Sequence, residues 1–214
     1  ASFSVNGVAK IHTNILENYT FKYFYQLFPE KFNNKTNGVT HRRWLLYSNP
    51  ELSNLITSRI ENKWITKPDE LVKFDKFAKD AATQKEFLKI KHNQKVKFAK
   101  YIQDTTGIEI NPDSIFDTQI KRLHAYKRQL MNIFHMSLYQ AFKNDPANFK
   151  MTPHTYIFGA KAAPSYEYAK RIIELILAVA DVINNDEEAS KFMKIVFVEN
   201  YGVSLAEKII PSTD

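Results

Sequence analysis

Residues 115–128 read Ile115-Phe116-Asp117-Thr118-Gln119-Ile120-Lys121-Arg122-Leu123-His124-Ala125-Tyr126-Lys127-Arg128. Ile115 to Ile120 is a short strand candidate, and the pattern then turns helical from about His124 to Lys143. The alternation repeats. Thr155-Tyr156-Ile157-Phe158 predicts a second strand, with a helix from Tyr166 to Asn185. Lys194-Ile195-Val196-Phe197-Val198 predicts a third, with a helical start at Val203. Strand, helix, strand, helix, strand implies right-handed crossovers and a parallel sheet. The fold class is therefore α/β, the opening half of a doubly wound, Rossmann-like domain.

Upstream the chain is helical. Ile11, Ile15, Tyr19, Tyr23 and Leu27 recur at helical spacing from His12 to Phe28, where Pro29 ends the run. Asn33 to Thr40 is turn-rich. Asn49-Pro50-Glu51 predicts a helix start, with Asn as cap and Pro in the first helical position. Leu71 to Ala82 and Thr83 to Asp104 predict two further helices, the second closed by Gly107. Ile209-Ile210-Pro211-Ser212-Thr213-Asp214 reads as the start of another element, which suggests a fragment.

Composition narrows the function classes. At 214 residues with 44% hydrophobic and 25% charged residues, the chain has the balance of a soluble globular protein. No apolar run approaches the roughly 20 residues of a membrane span, and Ala1-Ser2-Phe3-Ser4 does not begin a signal peptide. There is no cysteine, which excludes disulfides and thiolate metal sites and fits a cytoplasmic location. The net charge is +7. Between Glu61 and Gln103, eleven lysines face six acids with no arginine, and Phe74, Phe77, Phe87, Ile90, Phe98 and Tyr101 are interleaved. That pattern reads as the solvated side of amphipathic helices, not as a nucleic-acid interface. Only 5 residues are glycine, and neither a dinucleotide-binding nor a P-loop glycine motif is present. No His-Glu-x-x-His or Gly-x-Ser-x-Gly appears, so neither a metal nor a serine hydrolase is expected.

In an open parallel sheet, ligands bind beyond the carboxyl ends of the strands. Three segments fall there: Lys121 to Arg128, Gly159 to Pro164, and Glu199-Asn200-Tyr201-Gly202. The first gathers four cations, His124 and Tyr126 at an expected helix start. Cations are unfavourable at that end of a helix dipole, and an anion would reverse the sign. Two readings stay open, an anion site and a solvated basic turn, with Arg128 assigned to the turn. Lys161 alone reads as structural or solvated, and His12 as a cap or packed residue.

Several stretches then coincide in order: Val5-Asn6-Gly7-Val8-Ala9-Lys10-Ile11-His12, Asn34 to Trp44, Lys121 to Arg128, Lys161-Ala162-Ala163-Pro164, and Glu199 to Lys208. Together they resemble the glycogen, starch and maltodextrin phosphorylase family along essentially the whole chain, as an internal fragment. The resemblance implies a two-domain GT-B-type glycosyltransferase that carries pyridoxal phosphate in its second domain. Residues 1–37 would be the tail of the first domain, and 38–214 the truncated opening of the second. It implies phosphorolysis of α-1,4-glucan ends by inorganic phosphate to glucose 1-phosphate, in a homo-oligomeric parent with no nucleic-acid or membrane partner. Arg122 and Lys127 would hold the substrate phosphate, and Lys121 would lie near the cofactor phosphate. Tyr201 would line the cofactor pocket, Tyr126 would contact the sugar, and His12 and Asn37 would bind glucose hydroxyls. Gly202 stands where the family commonly has a polar or basic side chain, so one cofactor contact is expected to be missing. The Schiff-base lysine would lie beyond the equivalent of Asp214, so the fragment alone is expected to be inactive. The alternative is a free-standing basic module for a phosphorylated ligand or nucleic acid.

Overall fold

The structure is a computed structural model that describes residues 2–214 and divides into two compact units at His41/Arg42.

In the first unit, strands β1 (Val5–Gly7) and β2 (Phe32–Asn34) pair in parallel, Val5 opposite Phe32 and Gly7 opposite Asn34. A helical crossover joins them: α1 (Lys10–Ile15), a π-helical turn over Leu16–Thr20, and α2 (Lys22–Leu27). The expected helix is there, interrupted by the π turn. The two strands are too short to leave a period in the sequence, and β2 takes Asn33 and Asn34 from the expected loop. Gly7 permits the strand–helix junction. A Cβ there would stand 2.7 Å from the Cα and N of Thr13, a contact backbone atoms cannot relieve. Buried Thr13 completes the junction, its hydroxyl bonding the Ala9 carbonyl and the Asn34 side chain. The recurring apolar residues Ile11, Tyr19, Tyr23 and Leu27 are exposed rather than cored.

The second unit opens on a π-helical turn over Arg42–Tyr47, then α3 (Pro50–Ile60). The Asn49 side chain accepts the Leu52 N–H at 3.2 Å, satisfying one of the free donors at the helix start. Residues 71–82 do not form the expected α-helix. Pro68–Phe77 is a 3₁₀ stretch, and Asp80 caps α4 (Ala81–Thr106) through the N–H and hydroxyl of Thr83. A residue committed as a cap has non-helical backbone, so the two segments cannot fuse. Gly107 ends α4 with φ +75°, a left-handed conformation that glycine adopts without steric cost.

Strands β3 (Ile115–Ile120), β4 (His154–Gly159) and β5 (Met193–Val198) form one sheet in the order β3-β4-β5, all parallel. Side chains alternate between two cores. Tyr156, Phe158, Met193 and Ile195 meet Ala169, Ile172, Ile176, Val179, Ala180 and Ile183 of α7 (Glu167–Asn184). Phe116, Ile157, Val196 and Val198 meet Phe98 and Ile102 of α4 and Leu205 and Ile209 of α8 (Val203–Ser212). The α7 residues recur at three- and four-residue steps, one helix face against one sheet face.

The chain from 209 to 214 does not begin a new element. Ile209–Ser212 is the last turn of α8, and Thr213 and Asp214 lie beside β3. The Phe116 N–H donates to Asp214 Oδ2 at 2.9 Å, and the Asp214 N–H to the Phe116 carbonyl at 3.3 Å. Among the described residues, no helix is long and apolar enough to cross a membrane.

Asp186 ties the end of α7 to its neighbours. It accepts the Ala189 N–H at 2.9 Å, the Lys143 ammonium at 3.0 Å and the Tyr139 hydroxyl at 3.1 Å. The Ala189 N–H, then Lys143 and Tyr139, outweigh burial and hold its carboxyl down to about 2, from an ordinary 3.8. A depressed folded-state pKa contributes stability that is present above the unfolded value and lost as pH falls toward the folded one. Asp186→Asn is therefore expected to lower stability at neutral pH and to flatten the decline between 3.8 and about 2. Urea unfolding at neutral pH and at the bottom of that window measures this, and an equal loss at both would contradict it.

Candidate functional site

The carboxyl ends of β3, β4 and β5 point to one side of the sheet, and a loop leaves each. The loop after β3 carries Lys121, Arg122, Tyr126 and Lys127. Its backbone is held by its neighbour. The Lys121 N–H donates to the Gly159 carbonyl at 2.9 Å and the Leu123 N–H to the Lys161 carbonyl at 3.1 Å. These extend the β3–β4 ladder beyond the strands and bring the segment around Lys161 beside Lys121. Leu123 is buried among Ile133, Phe158 and Ala169, so it anchors the loop while its polar neighbours stay outside.

The helix expected from His124 does not start there. Residues Ala125–Lys127 form a 3₁₀ turn capped by His124, whose Nδ1 accepts the Tyr126 N–H at 3.4 Å. Arg128 then adopts φ +60°, ψ +32°, a left-handed conformation that cannot continue a right-handed helix. Only after it come α5 (Gln129–Ile133), a 3₁₀ turn over Phe134–Met136, and α6 (Ser137–Asn144). The macrodipole is a sum over aligned peptides. Five residues supply little of it, and the cations precede the helix. The dipole is thus no basis for an anion site. The side chains themselves are the positive feature.

Lys121, Arg122 and Arg128 are exposed and Lys127 is half-buried. Among the described residues, none of them, nor Lys161, is paired with a carboxylate. The Lys127 ammonium lies 5.6 Å from the ring centre of Tyr126. His124 packs 4.7 Å from Tyr126 and 5.3 Å from Tyr166, centre to centre. The Tyr166 hydroxyl accepts the Ala125 N–H at 3.3 Å. Nothing in the sequence marks Leu123 or Tyr166 as loop supports, because each acts across long chain separations.

The loop after β5 brings Tyr201 to the same rim. A Cβ on Gly159 would lie 3.4 Å from the Tyr201 side chain and 3.0 Å from Ile120, so glycine lets the ring close over the end of β4. Burial pushes the Tyr201 hydroxyl above its usual value. Asn200 takes φ +53°, which asparagine tolerates better than most residues. Gly202 has extended backbone, and a Cβ there would meet only the Asn200 carbonyl, at 3.6 Å. Lys121, Arg122, Tyr126, Lys127 and Tyr201 thus belong to one rim of the second unit. His12 in α1 and Asn37 after β2 are exposed residues of the first unit. No group of three or more metal-ligating side chains is found among the described residues.

A family model described as carbohydrate phosphorylase matches residues 1–214. Over all 214 residues, the chain is 51% identical to a glycogen phosphorylase of Bacillus subtilis, covering 27% of that protein. It is 48% identical to a glycogen phosphorylase of Synechocystis and 48% identical to the human liver form, covering 25% of each. The chain spans about a quarter of the length of these curated relatives. A match of this extent over the helical first part and the parallel sheet alike places the chain in the carbohydrate phosphorylase family.

Proposed function

We propose that this chain is part of an α-glucan phosphorylase, and that the rim of its β3-β4-β5 sheet binds the phosphate groups of that reaction. The observation that carries this reading is the loop 121–128. It holds Lys121, Arg122 and Lys127 on a pinned backbone with no carboxylate beside them. Uncompensated cations repel one another, and an anion turns that cost into binding. Arg122 and Lys127 grip the substrate phosphate, Arg122 through the paired N–H fork of its guanidinium. Tyr126 faces the sugar.

The same rim fits pyridoxal phosphate. Lys121 offers the cofactor phosphate a free ammonium, and Tyr201 offers a half-buried aromatic wall. When bound, the cofactor supplies a phosphate that acts as acid/base partner to the substrate phosphate. Two phosphates side by side require dense positive charge, and this chain supplies it from three residues within seven positions. The protein is a cytoplasmic enzyme that works as a homo-oligomer.

In the full-length protein, Arg122→Ala is expected to damage phosphate use far more than glucan use. The loss should approach the ~2.7–4 kcal/mol of one missing transition-state donor, a factor of roughly 10²–10³ in kcat/KM for phosphate. Arg122→Lys should recover part of it, keeping charge without the fork. Arg128→Ala should change either constant less than about twofold, as its side chain belongs to the exposed turn. Steady-state phosphorolysis with each substrate varied in turn checks the series, and equally mild Arg122→Ala and Arg128→Ala would refute the assignment. A separate test uses the open space at Gly202. Gly202→Arg should leave the melting temperature unchanged and slow cofactor loss on dialysis, since the backbone is extended and no side chain blocks the position.

A further inference from the structure

The cations of loop 121–128 have no acidic partners to aim them, so their direction is set by the backbone beneath. Two glutamines hold that backbone. Gln129, the first residue of α5, is 1% exposed, and its Nε2 donates to the Arg122 carbonyl at 3.4 Å. Gln119, in β3, donates from Nε2 to the Lys127 carbonyl at 3.1 Å. A carbonyl only accepts, so both amides must present nitrogen to the loop. Among the described residues, no backbone N–H donates to either carbonyl. Each amide therefore supplies the one bond that fixes a carbonyl of a residue assigned to the phosphate.

The arrangement is crossed. The glutamine that precedes the loop holds its far end, and the glutamine that follows it holds its beginning. It also carries a cost. The Oε1 atoms of Gln119 and Gln129 are buried and have no hydrogen-bond partner. A methionine of similar volume would leave no such orphan but would take the bond from the Arg122 or Lys127 carbonyl, so for stability the exchange is close to even. Neither glutamine is therefore explained by stability alone. What an amide does here that a methionine cannot is hold the carbonyls of Arg122 and Lys127.

We infer that Gln119 and Gln129 are positioning residues that brace loop 121–128 so that Arg122 and Lys127 converge on a phosphate. This rests on the phosphate reading above and names the residues that pre-organise that site. Without the brace, like charges on a flexible loop would spread apart in the free protein, and the anion would have to draw them together on binding.

The test uses the full-length protein with Gln129→Met, Gln119→Met and the double variant, each nearly isosteric and lacking the donor. Two readouts are taken: phosphorolysis kinetics with phosphate and glucan varied separately, and binding of inorganic phosphate by thermal shift. Each single variant should raise the phosphate KM and weaken phosphate binding about tenfold, within the hundredfold that a displaced positioning group can cost. The glucan KM should stay within about twofold, and the melting temperature without phosphate should change little, because removal of the orphaned amide oxygen offsets loss of the carbonyl's bond. Should Gln129→Met fail to fold, half-buried Gln119→Met carries the test by itself. Unchanged phosphate binding in the folded variants, or phosphate and glucan constants rising together, would overturn the inference. A wild-type protein that binds phosphate without phosphorolysis would instead overturn the functional reading. The variants' phosphate affinities would then still decide on the brace.

Discussion

Strand β4 has no side that meets water. β3 and β5 pair with both its edges, α7 covers one face, and α4 with α8 covers the other. Parallel neighbours cannot be joined by a hairpin, so each junction needs a crossover that travels back along the sheet. The crossovers cover the faces, and the faces must be apolar on alternating residues to receive them. Tyr156 and Phe158 answer one layer and Ile157 the other. The second consequence concerns direction. Because all three strands run the same way, every carboxyl end opens on the same rim, and three loops meet there whatever their sequences.

What those loops carry is a cluster of cations, four of them between positions 121 and 128. Elsewhere some lysines pair with acids, such as Lys97 with Glu51, Lys143 with Asp186 and Lys170 with Glu167, while others are spread singly over the surface. On the rim, Lys121, Arg122, Lys127 and Lys161 have no such partner. The surrounding scaffold is correspondingly stiff. Main-chain bonds to Gly159 and Lys161, the buried Leu123 and the Tyr166 hydroxyl all restrain the same few residues. Rigid backbone beneath unneutralised cations favours binding an anion over spreading the charge, since ordering has been completed in the free protein.

The sheet was legible from sequence because β4 and β5 are short apolar runs bounded by polar or turn residues, and α7 repeats its apolar face over 18 residues. Asn49 and Gly107 were legible because a cap has a chemical signature of its own. The misreadings share a cause. Periodicity reports an apolar face but not backbone continuity, so it ran one helix through Arg128 and another through the cap residue Asp80. In the first unit the helical stripe was legible, but spacing does not report burial, and Ile11, Tyr19 and Leu27 are exposed. The basic residues of the candidate site stand out as a cluster. Gln119, Gln129 and Tyr166 do not, because their partners are set by the fold rather than by spacing.

From β5 the chain turns into α8, which packs with α4 on one face of the sheet, and Thr213 and Asp214 then reach β3 on the side away from β4. The chain thus passes from one side of the strand order to the other. Buried Lys95 secures the turn. Its ammonium binds the Ser114 carbonyl at 2.6 Å and Asp214 at 2.7 Å, and lies over the Phe116 ring. Lys91 adds bonds to the carbonyls of Pro211 and Thr213. Burial pushes the Asp214 carboxyl up, but Lys95 and the Phe116 N–H outweigh it and leave it below the usual carboxylate range. In an open parallel sheet, ligands bind beyond the carboxyl ends of the strands. Loop 121–128 leaves the carboxyl end of β3. The basic loop therefore sits at the ligand-binding end of the sheet, independently of its charge.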